Sequence, residues 1–121
     1  MKSISVASFV VLALLSGVAY AQEDVEKKKI DFLLSSVENM MGAKFIRNGT
    51  AHDGKEAAAH LRMKLQKAGG KVRTADDFIR LCASKSFLSG KPYRIRSADG
   101  KTVNSDRYFR EKLKEYDPDA K

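Results

Sequence analysis

Apolar residues recur every three or four positions along most of this chain, which is the spacing of helices that bury one side. The pattern predicts a first helix over 22–41, ended by Gly42. Its stripe consists of Ile30, Leu33, Leu34, Val37 and Met41.

The second helix is predicted from about Gly54 to Ala68, with Asp53 as its N-cap residue. Its apolar face is rich in alanine, so the helix can approach its neighbours closely. The members of that face are Ala57, Ala58, Leu61, Leu65 and Ala68.

A third helix is predicted after Thr74, because 74–77 resembles a capping box with Asp in place of Glu. It should fade by Lys85 or Ser86. Its inward face is predicted to consist of Ala75, Phe78, Leu81 and Cys82.

The hydrophobic period changes to two at 93–96, which predicts a strand. Asp99-Gly100 is a hairpin turn signal, and 101–103 can form the return strand. The segment at Phe45-Ile46 is a shorter apolar step before an Asn48-Gly49 turn. A last helix, capped by Asn104 or Ser105, has a stripe that consists of Phe109, Leu113 and Tyr116, and ends at Asp117-Pro118.

These elements predict a compact, mainly α single domain of about four helices, with a small β-hairpin between helices 3 and 4. The domain should cover 22–121, with a loose C-terminal tail. No repeat or low-complexity linker interrupts it.

The first 21 residues have the pattern of a secretory signal peptide. Lys2 supplies the positive start, Ile4 to Leu15 form the apolar run, and Ala19-Tyr20-Ala21 is a small-x-small cleavage site. The run is short for a transmembrane helix. We therefore expect a mature, soluble protein that begins at Gln22, lies outside the cytoplasm and has no transmembrane segment.

The chain has more basic than acidic residues, and this limits the classes of partner that it can bind. The chain has 23 Lys and Arg against 15 Asp and Glu. Removal of Lys2 with the leader leaves 22 against 15, a net charge of +7. An anionic surface or a well-solvated exterior is compatible with this charge, whereas export argues against nucleic acid.

Cys82 is the chain's single cysteine, so an internal disulfide is excluded. It is expected to be a small residue of the core, with a reactive or interchain thiol as the alternative. We expect a monomer, and the sequence suggests no cofactor.

The Arg47-Asn48-Gly49 stretch has two interpretations. Arg47 offers a planar fork for a carboxylate or phosphate, and Gly49 lets backbone approach a ligand. Alternatively, Asn48-Gly49 is only a turn, and Arg47 pairs with an acidic side chain.

The segment from Ser84 to Tyr93 is the second candidate surface, since hydroxyls and lysines can bind a carboxylate, a phosphate or a sugar. The alternative is a helix C-terminus whose serines satisfy free carbonyl groups. Its candidate residues are Ser84, Lys85, Ser86, Ser89, Gly90, Lys91 and Tyr93.

His60 lies at the border of the second helix, with Glu56 and Lys64 one turn away on either side. It could be a general base for Ser86 or Ser89, or a structural histidine bonded to a loop. A metal cluster of His52, Asp53, Glu56 and His60 matches no known spacing, so no metal site is predicted.

Four motifs, in this order, resemble the YfeK-like family of small exported bacterial proteins. The motifs are FIRNG at 45–49, AAAHLR at 57–62, TADDFI at 74–79 and SKSFLSGKPYRIR at 84–96. The resemblance spans roughly 30–113. It implies a periplasmic location but no reaction, ligand or catalytic residue, since the family's domain has no known function.

Non-catalytic binding of an anionic envelope component or a protein partner is the function that these residues favour. A small hydrolase using Ser86 or Ser89 with His60 is one alternative. An inhibitor or immunity-type protein is another, because Ser89-Gly90-x-x-Tyr93 is similar to the loop of periplasmic lysozyme inhibitors.

Overall fold

The first helix ends earlier than the hydrophobic spacing indicates. The computed structural model describes residues 21–120, and α1 is helical over 21–38. Leu33 and Val37 of its stripe are fully buried, whereas Met41 is 89% exposed. The prediction for Met41 is wrong because the residue follows the end of the helix and no longer shares its face.

The predicted signal peptide lies outside the described residues except for Ala21, so its cleavage stays a prediction. Among residues 21–120, no helix has both the length and the apolar character needed to cross a bilayer.

Two short hairpins form one four-stranded antiparallel sheet. The first hairpin consists of β1 (Lys44–Arg47) and β2 (Thr50–His52), and the second of β3 (Arg94–Arg96) and β4 (Thr102–Asn104). The strand order is β2-β1-β3-β4, with Phe45 opposite both His52 and Ile95. The predicted hairpin before the last helix is confirmed, and the first hairpin is an addition to the predicted fold.

Helix α2 (Gly54–Ala68) begins and ends where the sequence predicts, and a 3₁₀ turn over Gly69–Lys71 follows it. The Asp53 side chain accepts a hydrogen bond from the backbone N–H of Glu56 at 2.8 Å. Gly54 lies against the end of α1, where an added Cβ would overlap the carbonyl oxygen of Val37. This close approach fixes α2, and the site residues on it, relative to α1.

Helix α3 (Ala75–Phe78) continues into a π-helical turn over Ile79–Ala83. A π turn places more residues in each turn than an α-helix, so it rotates the side chains that follow. Ile79 and Cys82 are buried and Leu81 is 43% exposed, so the predicted inward position of Leu81 is wrong. The Cys82 thiol is free and lies in the core, where burial raises its pKa.

Helix α4 (Ser105–Lys114) closes the core from the other side, and its Phe109 is fully buried. The Phe109 ring packs edge-on against Phe78 with ring centroids 6.1 Å apart. After α4, Tyr116 packs on Phe32 of α1. Among residues 21–120, the buried apolar residues all lie between Ile30 and Phe109.

Candidate functional site

The end of the first hairpin, the middle of α2 and the segment 84–93 meet at one place. Arg47 is the last residue of β1 and shares the core-facing side of the strand with Phe45, since side chains alternate along a strand. Helix α2 presents His60 and, one turn later, Lys64. These two and Arg47 are half-buried, whereas Tyr93 is buried. Together Arg47, His60, Lys64 and Tyr93 form what we call the cation cluster.

Hydrogen bonds to His60 fix the state of its ring. Nη1 of Arg47 lies 2.6 Å from Nδ1 of His60 and 3.2 Å from Nε2. A guanidinium can only donate, and its shorter contact is to Nδ1, so we assign Nδ1 as the acceptor and place the proton of the neutral ring on Nε2. That N–H is 3.2 Å from the hydroxyl of Tyr93, to which it donates.

Lys64 completes the cluster from the other side. Its Nζ donates to the Tyr93 hydroxyl and to the backbone carbonyl of Lys85, each at 3.0 Å. The ammonium also lies 4.7 Å from the centroid of the Tyr93 ring, close enough for a cation–π interaction. His60 and Tyr93 therefore bridge two cations.

In the described part of the chain, the two cations of the cluster have no directly paired carboxylate; the Glu56 carboxylate lies 3.6 Å from Nδ1 of His52, whose Nε2 in turn contacts Arg47. Within residues 21–120, no ion pair joins Arg47 or Lys64 to a carboxylate. Burial, followed by the charges of Arg47 and Lys64, lowers the pKa of His60 to about 4. The imidazole is therefore neutral at pH 7.

Two predicted segments are joined by Asn48. Its Nδ2 donates to the Ser86 hydroxyl at 3.4 Å, and its Oδ1 accepts from the Ser89 hydroxyl at 2.7 Å. Asn48 has φ +50° and Gly49 has φ +80°, which fits the two-residue hairpin turn that Asn-Gly favours. We call residues 84–93 the anchored loop.

The remaining predicted residues shape the anchored loop, mainly through their backbone groups. Ser84 accepts the backbone N–H of Tyr93 through its carbonyl oxygen, and its hydroxyl donates to Ile79. Lys91 accepts the N–H of Ser86 through its carbonyl oxygen. Gly90 has φ +73°, a conformation that favours glycine. The side chains of Lys85 and Lys91 are exposed at the rim of the loop.

The sequence predictions gave two members of this site no role. Lys64 was considered only as a neighbour of His60, and the four-residue spacing was the available signal. His52 lies opposite Phe45 in β2, and its Nε2 is 3.5 Å from Nη2 of Arg47. The Arg47 guanidinium thus lies between the two histidines. In the described part of the chain, no group of three His, Cys, Asp or Glu could hold a metal ion.

The hydroxyl groups proposed for hydrolysis have other partners. Both nitrogens of His60 contact Arg47 or Tyr93, while the Ser86 and Ser89 hydroxyls contact Asn48. Among residues 21–120, no hydrogen bond joins His60 to either serine. Tyr93 is 2% exposed, so the tyrosine of the Ser89-Gly90-x-x-Tyr93 stretch lies within the core.

Comparison with known proteins finds a match over most of the described chain. Residues 24–117 match the model of a family of unknown function (DUF5329). The uncharacterized protein YfeK of Salmonella typhimurium strain LT2 is 39% identical over 85 residues, which are 69% of this chain and 71% of that protein. No solved structure matches.

Proposed function

This chain belongs to the family of unknown function that its residues 24–117 match, as the resemblance to YfeK-like proteins predicts, and we propose that it binds an anionic group. The ligand is a carboxylate or phosphate of an envelope component, held without catalysis at the cation cluster. One observation carries the proposal: Arg47 and Lys64 are half-buried beside a neutral imidazole, and neither has an ion-paired carboxylate within residues 21–120.

A half-buried cation without a counter-ion is costly, because burial weakens its hydration and leaves no opposite charge to compensate. Arg47 was expected to have an acidic partner if it served structure alone. Its contacts are instead two histidines. A bound anion would supply the missing charge and accept from donors that the guanidinium has left over.

The hydrogen bonds favour binding over catalysis. A serine nucleophile needs a base within reach of its hydroxyl, and the hydroxyls of Ser86 and Ser89 are fixed by Asn48. A base with its pKa lowered to about 4 also has little tendency to take a proton from serine at neutral pH. The cluster is suited to hold charge rather than to move a proton.

The location is proposed from residues 1–21, whose pattern is that of a signal peptide. Outside the cytoplasm, phosphate and carboxylate groups belong to lipids, surface polymers and proteins. The cluster would recognise the phosphate or carboxylate group itself, whichever of these molecules carries it.

The test is calorimetric titration of the protein with inorganic phosphate and with acetate. Arg47→Gln should weaken binding at least about tenfold, because it removes the planar donor set, and Lys64→Gln should weaken it less. Lys71→Gln is the matched control, since it removes the same charge from an exposed position and should leave affinity unchanged. Equal affinity of Arg47→Gln and the unaltered protein, with both folded, would contradict the proposal.

A further inference from the structure

The tip of the anchored loop exposes two adjacent large apolar side chains. Phe87 is 92% exposed and Leu88 is 97% exposed. Together they present an apolar surface to solvent. Such a surface marks an interaction site when polar groups surround it.

The loop that carries this tip is closed by its own hydrogen bonds. The backbone N–H of Gly90 donates to the carbonyl oxygen of Ser86 at 2.9 Å, and that of Ser86 to the carbonyl oxygen of Lys91 at 3.0 Å. The N–H groups of Ser89 and Lys91 donate to serine hydroxyls. The tip is therefore held in place before any partner arrives, so that little conformational entropy is lost on binding.

The charge around the tip has one sign. Lys85 and Lys91 flank it with exposed side chains, and the stretch 85–91 contains no acidic residue. Its base is fixed by Lys64, which donates to the Lys85 carbonyl. An apolar tip flanked by lysines is complementary to a surface whose outer layer is anionic and whose inner layer is apolar.

We propose that Phe87 and Leu88 insert into the interfacial region of a bilayer that contains anionic phospholipids, while Lys85 and Lys91 contact the headgroups. Phenylalanine and leucine favour the boundary between headgroups and acyl chains, and lysines near an anionic leaflet add electrostatic attraction. The N–H groups of Ser86, Ser89, Gly90 and Lys91, which surround the tip, already have partners within the loop, so they need no water at the membrane surface. The inference goes beyond the proposed anion site, since it uses different side chains.

A unique fluorophore can test insertion, because the chain contains no tryptophan. Leu88→Trp should show a blue shift of its emission, and quenching by brominated acyl chains, with vesicles of phosphatidylethanolamine and phosphatidylglycerol. Met41→Trp is the matched control, since Met41 is 89% exposed outside the loop, and it should show neither effect. Vesicle binding without a shift at position 88 would overturn the proposal.

Affinity provides a second test, on the chain beginning at Gln22 so that the apolar leader does not itself bind lipid. The double substitution F87S/L88S should weaken vesicle binding at least about tenfold, since it removes most of the inserted apolar area. Binding should also fall with added salt and with phosphatidylcholine alone. Unchanged vesicle binding by the folded F87S/L88S protein, or a partner protein that requires the tip when the vesicles do not bind, would overturn it.

The Arg47→Gln variant separates the two proposals. It should lose phosphate affinity and keep the blue shift of Leu88→Trp. Unchanged phosphate affinity in Arg47→Gln would contradict the anion site, whereas absence of the blue shift would contradict insertion.

Discussion

The two hairpins of the sheet share a turn sequence, Asn or Asp followed by Gly, and differ in their surroundings. The first turns at Asn48-Gly49 and the second at Asp99-Gly100. Asn48 bonds across to Ser86 and Ser89, whereas within residues 21–120 the Asp99 carboxylate accepts only the N–H of Lys101. The same sequence signal therefore forms one turn that lies in the candidate site and another that lies in solvent.

A turn motif therefore predicts the backbone conformation of a hairpin but not the role of that hairpin. Both turns reverse the chain because glycine accepts a positive φ, +80° at Gly49 and +89° at Gly100. What distinguishes the first is its neighbour Arg47, which meets His60. Substitutions can therefore separate the contacts that only the first hairpin makes from the turn conformation that both hairpins need.

The largest expected effect comes from Gly54, where the first hairpin leads into α2. Gly54→Ala should lower the free energy of unfolding by about 3 kcal/mol, because its Cβ would press on rigid backbone. That Cβ would overlap the Val37 carbonyl oxygen and lie 2.8 Å from that of Glu38. Chemical denaturation measures the change. Gly70→Ala is the control, since an added Cβ there meets no atom within 4 Å, and a similar loss in both variants would show that close packing is not the cause.

The second effect concerns the side chain that links the turn to the anchored loop. Asn48→Gly keeps the positive φ and removes both hydrogen bonds, so it should cost about 1–2 kcal/mol. Hydrogen exchange should accelerate at the N–H groups of Ser86, Ser89 and Gly90. Asp99→Gly, its counterpart in the second hairpin, should leave those groups protected. Equal protection in both variants would show that Asn48 does not hold the loop.

The third effect should be alike in the two hairpins. Gly49→Ala and Gly100→Ala each place a Cβ on a backbone of positive φ, at a cost of about 1–2 kcal/mol. Thermal unfolding measures both. A much larger loss at Gly49 would mean that this turn also needs its glycine for contacts outside the hairpin.

The fourth effect is a pH dependence that belongs to the first hairpin's site. The pKa of His60 is about 4 in the fold, below its ordinary value of 6.5, so the unfolded chain binds more protons between these values. Stability should be fully present above pH 6.5 and decline as pH falls toward 4. His60→Gln should flatten the decline relative to the unaltered protein, as followed by denaturant unfolding at several pH values. An identical pH profile in the variant would contradict the assigned pKa.

Long periodic segments and strong caps made most of the helical fold predictable. Asp53 and the alanine-rich face fixed α2 to the residue, because both signals are local. The first hairpin was harder to predict, since Thr50–His52 is short and lacks strong strand formers. Its strand β1 also pairs with β3, with Phe45 opposite Ile95, a contact between residues that lie far apart in the sequence.

The candidate site was predictable as a set of residues but not as a geometry. Arg47, His60 and the 84–93 segment were all identified from their chemistry. That Arg47 would contact histidines and no carboxylate depends on the register of β1 against β2 and on the rotation of α2. The π turn at Ile79–Ala83 likewise follows from packing, and no sequence motif predicts it.

The anion site is tested most directly by the pKa of His60, measured by NMR with and without inorganic phosphate. The imidazole resonance is assigned by its loss in His60→Gln. Burial is the largest cause of the lowered pKa and would persist, but a bound anion would offset the charges of Arg47 and Lys64, so the pKa should rise above about 4. By linkage, phosphate should then bind more tightly as pH falls from the raised pKa toward about 4. A His60 pKa that stays near 4 at saturating phosphate would contradict the account.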